Sequence, residues 1–92
     1  MLTVIAYDIA DDRRRNEVSS VLADHGRRVN YSVFECELDR HEFETLRHHL
    51  SRLIDVHEDR ILFYRLCEDC RGRRSALGQS APDQGGSGVV MI

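Results

Sequence analysis

Asp8 and a set of clustered arginines are the residues of this 92-residue chain whose types and spacing point most clearly to chemistry. Asp8 interrupts the run Leu2-Thr3-Val4-Ile5-Ala6-Tyr7-Asp8-Ile9 near its end. A carboxylate there is either pinned by a partner or placed for chemistry. Pinning would mean capping the strand-to-loop turn or pairing with a nearby arginine. The arginines gather at Arg13-Arg14-Arg15, at Arg27-Arg28 and over Arg71 to Arg74. All 13 basic residues are arginine, and lysine is absent. The planar guanidinium fork suits phosphate oxygens better than an ammonium point charge does. Such contacts position a phosphate backbone without reading its bases. The plainer reading of the arginines is a solvated helix surface bridged to Asp11, Asp12 or Glu17, in a chain shaped by GC-rich codons.

The remaining candidates carry weaker patterns. Cys67-x-x-Cys70 resembles half of a zinc site, but a structural site needs four ligands and no second pair stands at zinc-finger spacing. Cys36 or a histidine would have to complete it. A redox pair is the other reading, in a context unlike thioredoxin. His48 and His49 are adjacent, so on a helix they point to different sides and chelate poorly. His25, His41 and His57 read as surface or boundary residues. Tyr7 and Phe34 have faces that can stack on a base, although aromatic residues in strands more often fill a core or an interface. Ser32 reads as local turn chemistry, with a phosphate contact as the sharper alternative.

The elements that must position these residues follow from periodicity. Leu2 to Ile9 reads as a strand; Leu2, Val4 and Ala6 point one way, and Ile5, Tyr7 and Ile9 the other. A strand apolar on both sides is expected at the centre of a sheet, covered on both faces. Asp11 or Asp12 caps a following helix. Val18, Val21, Leu22 and His25 form one face of it, and Gly26 is placed to end it in a left-handed conformation. Two strands follow, about Arg28–Tyr31 and Val33–Leu38. Apolar parity shifts between Val33 and Phe34, which predicts a tight bend near Ser32. Asp39 caps a second helix over about Arg40 to Ile54, with Phe43, Leu46, Leu50, Leu53 and Ile54 as its apolar stripe. Asp55 to Asp59 reads as a turn. Ile61 to Leu66 reads as another strand, again apolar on both sides.

From Cys67 the chain turns polar, and residues 71–88 read as a flexible loop holding the single proline, Pro82. Val89 to Ile92 is an apolar tip, read as a short docking strand. The order strand, helix, strand, strand, helix, strand is the split β-α-β, or ferredoxin-like, pattern over residues 1–70. Its fold class is α+β, an antiparallel sheet with both helices on one face. Because the central strands are apolar on both sides, the second face needs a cover, and a homodimer stacked sheet on sheet is the economical one.

Composition sets outer limits. The length fits one small domain, often marginal by itself, for which oligomerisation supplies missing burial. No apolar run approaches the roughly 20 residues of a membrane span, so no membrane association is expected. The N-terminus has neither the charged region nor the cleavage site of a secretory signal. Three cysteines, an odd number, suit a reducing cytoplasm. A net charge of −3 argues against indiscriminate nucleic-acid binding. No glycine-rich phosphate loop supports a regulatory domain for small ligands.

Four segments in order resemble the CRISPR-associated Cas2 family: Val4 to Ile9, Asp12 to Arg15, Gly26 to Cys36, and Asp59 to Cys67. The resemblance spans about Met1 to Cys70 and rests on several motifs at the right spacing. Asn30 stands where glutamine is common in the family. Arg71 to Gly88 matches no family motif, while Val89 to Ile92 fits the family's final strand. The resemblance implies a ferredoxin-like homodimer whose last strand crosses to the partner's sheet. It implies a role in acquiring new spacers, with the dimer bridging the CRISPR integrase and holding duplex DNA. It further implies magnesium-dependent endonuclease activity on DNA or single-stranded RNA, an activity not uniform in the family. On that implication Asp8 is the catalytic residue and the Mg2+ ligand, and Arg13, Arg14, Arg15, Arg27 and Arg28 are the nucleic-acid contacts. Two Asp8 carboxylates near a dimer axis would suit a hard cation that keeps several waters. The alternative is a non-catalytic adaptor that joins integrase subunits.

Overall fold

The computed structural model describes residues 1–75 and Leu77. The expected C-terminal docking strand, 89–92, and most of the expected loop 71–88 lie outside the described residues. The elements run β1 (Leu2–Asp8), α1 (Asp12–Ala23), β2 (Gly26–Asn30), β3 (Val33–Glu37), α2 (Arg40–Leu53), β4 (Arg60–Leu66) and α3 (Glu68–Arg71). The strands form one antiparallel sheet in the order β2-β3-β1-β4. This is the ferredoxin-like α+β arrangement that the element order predicts. No helix among the described residues is long and apolar enough to cross a membrane.

Local chemistry sets the helix starts. Asp11 caps α1 by accepting the Arg14 N–H at 2.9 Å. Asp39 caps α2 as half of a capping box: it accepts the Glu42 N–H at 2.7 Å, and Glu42 accepts the Asp39 N–H at 2.8 Å. Each cap satisfies backbone donors that have no intrahelical partner.

The core lies between the helices and one sheet face. Ile5, Tyr7 and Ile9 from the β1 segment meet Phe34, Cys36 and Leu38 from the β3 segment. Val18 and Leu22 of α1 and Leu46 and Leu50 of α2 close over them. Phe43 packs edge-on to Phe63, with ring centroids 5.6 Å apart. Tyr7 and Phe34 are buried, 6 % and 2 % exposed, and belong to this core, so neither presents a face to a base.

Gly26 does not end α1. The helix stops at Ala23, capped by Asp24 in a right-handed conformation, and Gly26 opens β2. Its role is close approach. A Cβ there would run into the Glu35 carbonyl and lie 2.6 Å from Cys36 Sγ. The strand therefore begins two residues earlier than Arg28 and ends at Asn30. A register shift between Arg28 and Asn30 makes a bulge, and Tyr31 and Ser32 form the hairpin turn. Where the chain turns polar after β4, Glu68–Arg71 forms a single helical turn.

Among the described residues, the second sheet face is only partly covered. Val4 and Ala6 are half-buried there, while Leu62 and Tyr64 are 38 % and 54 % exposed. At one end, Arg71 pairs with Glu37, and Arg74 pairs with Glu35. At the other end, β1 finishes with Asp8.

Candidate functional site

Asp8 lies on the open face, in line with Leu2, Val4 and Ala6. Strand alternation puts it there, because Ile5 and Tyr7 take the core side. Its antiparallel neighbour on β4 is Arg60. Ala6, Tyr7, Asp8, Arg60 and Leu62 line a shallow hollow of about 220 Å3 at this end of the sheet. The Asp8 side chain is exposed. Among the described residues, no hydrogen bond or ion pair engages its carboxylate. Neither form of pinning is therefore present: Asp8 neither caps the turn nor pairs with an arginine of its own chain.

The floor beneath Asp8 is rigid. The Tyr7 N–H donates to the Ser32 carbonyl at 3.1 Å, which extends the β1–β3 ladder into the hairpin turn. The Tyr7 hydroxyl donates to the Tyr31 carbonyl at 3.5 Å. Just past Asp8, Arg15 Nη1 donates to the carbonyls of Ile9 and Ala10 at 3.1 and 3.2 Å. Its other terminal nitrogen pairs with Asp12. That hydrogen bond pushes the Arg15 guanidinium further toward its charged form. Arg15 thus fixes the loop that leaves the Asp8 corner.

The other arginines separate by environment. Arg14 is 26 % exposed and forks onto Asp59, with Nε to Oδ2 at 2.7 Å and Nη2 to Oδ1 at 3.3 Å. It also reaches Glu58 at 3.3 Å. Arg28, at the sheet edge, donates to Ser19 Oγ at 2.6 Å and to the Tyr31 carbonyl, and lies 4.9 Å above the Phe34 ring. Arg27 Nη2 is 3.3 Å from Glu35 Oε1. Arg13 stands open on α1. Its side chain is 86 % exposed, with only a 3.7 Å approach to Glu17 one helical turn away. The structure thus brings Asp8 and Arg15 to one corner and keeps Arg27 and Arg28 on β2, with β3 between them and β1.

Arg60 is the site residue that the sequence reading passes over. In an antiparallel β1–β4 pair, the first residue of β4 must oppose the last of β1, so topology was the available signal. As a metal ligand set, one carboxylate is incomplete, and among the described residues no three His, Cys, Asp or Glu side chains gather. Asp8 supplies one hard oxygen donor on an open rim. That fits Mg2+, which takes one or two carboxylates and retains waters, if a second chain contributes the rest.

The family model for CRISPR associated protein Cas2 matches residues 1–74. A CRISPR-associated endoribonuclease Cas2 of Chloroflexus aurantiacus is 39 % identical over 93 residues, covering all of both chains. A second from the same organism is 53 % identical over 66 residues, covering 72 % of this chain and 71 % of the relative. The crystal structure of Streptococcus pyogenes Cas2 superposes with a TM-score of 0.76 at 34 % identity, covering 85 % of this chain and all of that one.

Proposed function

The chain belongs to the CRISPR-associated Cas2 family, and from that premise we propose that it is a cytoplasmic spacer-acquisition subunit that cleaves phosphodiester bonds at Asp8. It works as a homodimer that bridges the CRISPR integrase and holds duplex DNA. The observation that carries the catalytic part is the Asp8 carboxylate, exposed beside a hollow and engaged by no residue described in its own chain. The carboxylates that cap α1 and α2, Asp11 and Asp39, are by contrast each tied to a backbone donor.

The dimer rests on the sheet face. Leu62 and Tyr64 are exposed on the face opposite the helices. Burying such side chains against a second copy is favourable by about 25 cal/mol per Å2 of apolar surface removed from water. Stacking two such faces brings two Asp8 corners into one assembly, which supplies the second carboxylate.

Asp8 would hold Mg2+. When bound, the ion neutralises charge on phosphate oxygens and lowers the pKa of a coordinated water. Arg60, opposite Asp8 in the sheet, offers its guanidinium to the same phosphate. Tyr7 and Arg15 keep the carboxylate in place through the ladder and the loop they bind. Arg13 projects from α1 and contacts the nucleic-acid backbone, with Arg27 and Arg28 along the far edge. The substrates are RNA or DNA, as the endoribonuclease names of the two Chloroflexus aurantiacus relatives suggest for RNA.

A second reading is a purely structural adaptor. Its support is that Arg14, Arg15 and Arg28 are all engaged within the chain, which favours a rigid scaffold over a flexible cleft. Spacer integration measured with the Asp8→Asn variant separates the two. Lost cleavage with retained integration assigns Asp8 to cleavage alone. Retained cleavage, after removal of contaminating nuclease, places the activity elsewhere.

A further inference from the structure

Cys67 and Cys70 have no part in the site above, and their placement carries an inference independent of it. Cys67 directly follows β4, and its Sγ caps the turn of α3 by accepting the Cys70 N–H at 3.4 Å. Both side chains are exposed, whereas Cys36 is buried in the core. The Cys67 sulfur therefore lies against the Cys70 backbone within one helical turn, and both thiols are open to reagents. Among the described residues no third ligand joins them, and a structural zinc site needs four.

We propose that Cys67 and Cys70 form a redox-active dithiol whose substrate is a small-molecule disulfide. Cys67 is the attacking sulfur. It accepts the Cys70 backbone N–H, which favours its thiolate and is the main cause lowering its pKa, with the neighbouring Cys70 thiol adding to the effect. The neighbouring Cys67 in turn raises the Cys70 thiol. Cys36 takes no part: burial pushes its thiol up to about 11.

The exchange balances in two displacements. The Cys67 thiolate attacks one sulfur of the small disulfide; a Cys67–reagent bond forms, the reagent's S–S bond breaks, and one small thiol leaves. Cys70 then loses its proton to solvent and attacks Cys67 Sγ. The Cys67–Cys70 bond forms and the second small thiol leaves. Two electrons pass to the reagent, and the two protein thiol protons are balanced by those on the two small thiols. Arg71, the last residue of α3, pairs with Glu37, which also binds the N-terminal amine at 3.0 Å. Closing the bridge fixes the turn that carries this contact.

The full chain is equilibrated in glutathione buffers of rising oxidised fraction, quenched with N-ethylmaleimide, and read by intact mass and peptide mapping. The proposal expects maleimide uptake to fall by two, with Cys67 and Cys70 bridged and Cys36 free. The Cys70→Ser variant should trap glutathione on Cys67. The Cys67→Ser variant should acquire it on Cys70 several-fold more slowly at neutral pH, a difference that disappears in urea. Separate glutathiones on the two wild-type cysteines without a bridge would overturn the proposal. So would faster reaction at Cys70, an unchanged rate ratio in urea, or tightly held zinc that leaves both thiols unreactive.

Discussion

Arg14 Nε donates to Asp59 Oδ2 at 2.7 Å, tying the first turn of α1 to the turn that leads into β4. The Asp59 side chain is 0 % exposed, and the same oxygen accepts the Asp55 N–H at 2.8 Å. Arg14 is the main reason the Asp59 carboxyl sits below its ordinary value of 3.8, with the Asp55 N–H adding to the effect. Removing Arg14 leaves the buried Asp59 carboxylate without its ion-pair partner, and removing Asp59 takes from Arg14 its two-pronged contact. Arg14→Ala and Asp59→Asn should therefore each lower the urea midpoint at neutral pH. A carboxylate whose pKa is depressed by folding contributes stability that is present above its unfolded pKa and lost as pH falls through the folded one. The gap between wild type and Asp59→Asn should stay constant at neutral pH and narrow only below 3.8. Urea titrations across that range check it; a gap that closes near neutral pH contradicts the assignment.

Gly26 and Gly72 make a matched pair of tests. A Cβ on Gly26 meets the Glu35 backbone and Cys36 Sγ, whereas on Gly72 the nearest atoms are 3.7 and 3.8 Å away. Gly26→Ala forces β2 away from β3, at a cost of about 1–3 kcal/mol typical of overpacking. Gly72→Ala should change stability by less than about 0.5 kcal/mol. Chemical denaturation of both variants distinguishes this packing argument from a general intolerance of glycine replacement.

Arg13 and Arg14 are sequence neighbours with different expected roles. Arg13→Ala should leave the fold intact, because its one partner among the described residues is an exposed glutamate on its own helix. In nucleic-acid binding it should weaken affinity and reduce the slope of log affinity against log salt by about one. Binding titrations at several salt concentrations provide the readout. An unchanged slope would remove Arg13 from the interface.

Asp8→Asn should abolish metal-dependent cleavage with almost no thermodynamic effect, within about 0.5 kcal/mol, since no described contact is lost. Cleavage of labelled RNA and duplex DNA, with and without Mg2+, should be compared with thermal unfolding of the same samples. A variant that is inactive and also strongly destabilised would mean that Asp8 holds the fold.

Local pattern in the sequence reaches far in this protein. The apolar stripe of Leu46 and Leu50 and the Asp39 cap are both written within a few residues, and both appear where the pattern puts them. The parity shift after Val33 likewise marks a real hairpin turn. What local pattern misses is contact between distant segments. Gly26 reads as a helix terminator until β3 is known to approach it. Arg14 reads as one of three equivalent arginines until Asp59, 45 residues away, is placed beside it. Arg60 becomes part of the Asp8 corner only through the β1–β4 register. The end of β1 is legible because Asp8 breaks an apolar run; its freedom from partners is a property of the folded surroundings.

A metal site at Asp8 depends on a second copy of the chain covering Leu62 and Tyr64, because one Asp8 carboxylate alone does not make one. Sedimentation equilibrium of the full chain and of its Leu62→Glu/Tyr64→Glu variant tests this most directly, with circular dichroism to confirm the fold. A dimer at micromolar concentration that the double substitution converts to a folded monomer is the predicted result. A wild-type chain that remains a folded monomer at every concentration would contradict it.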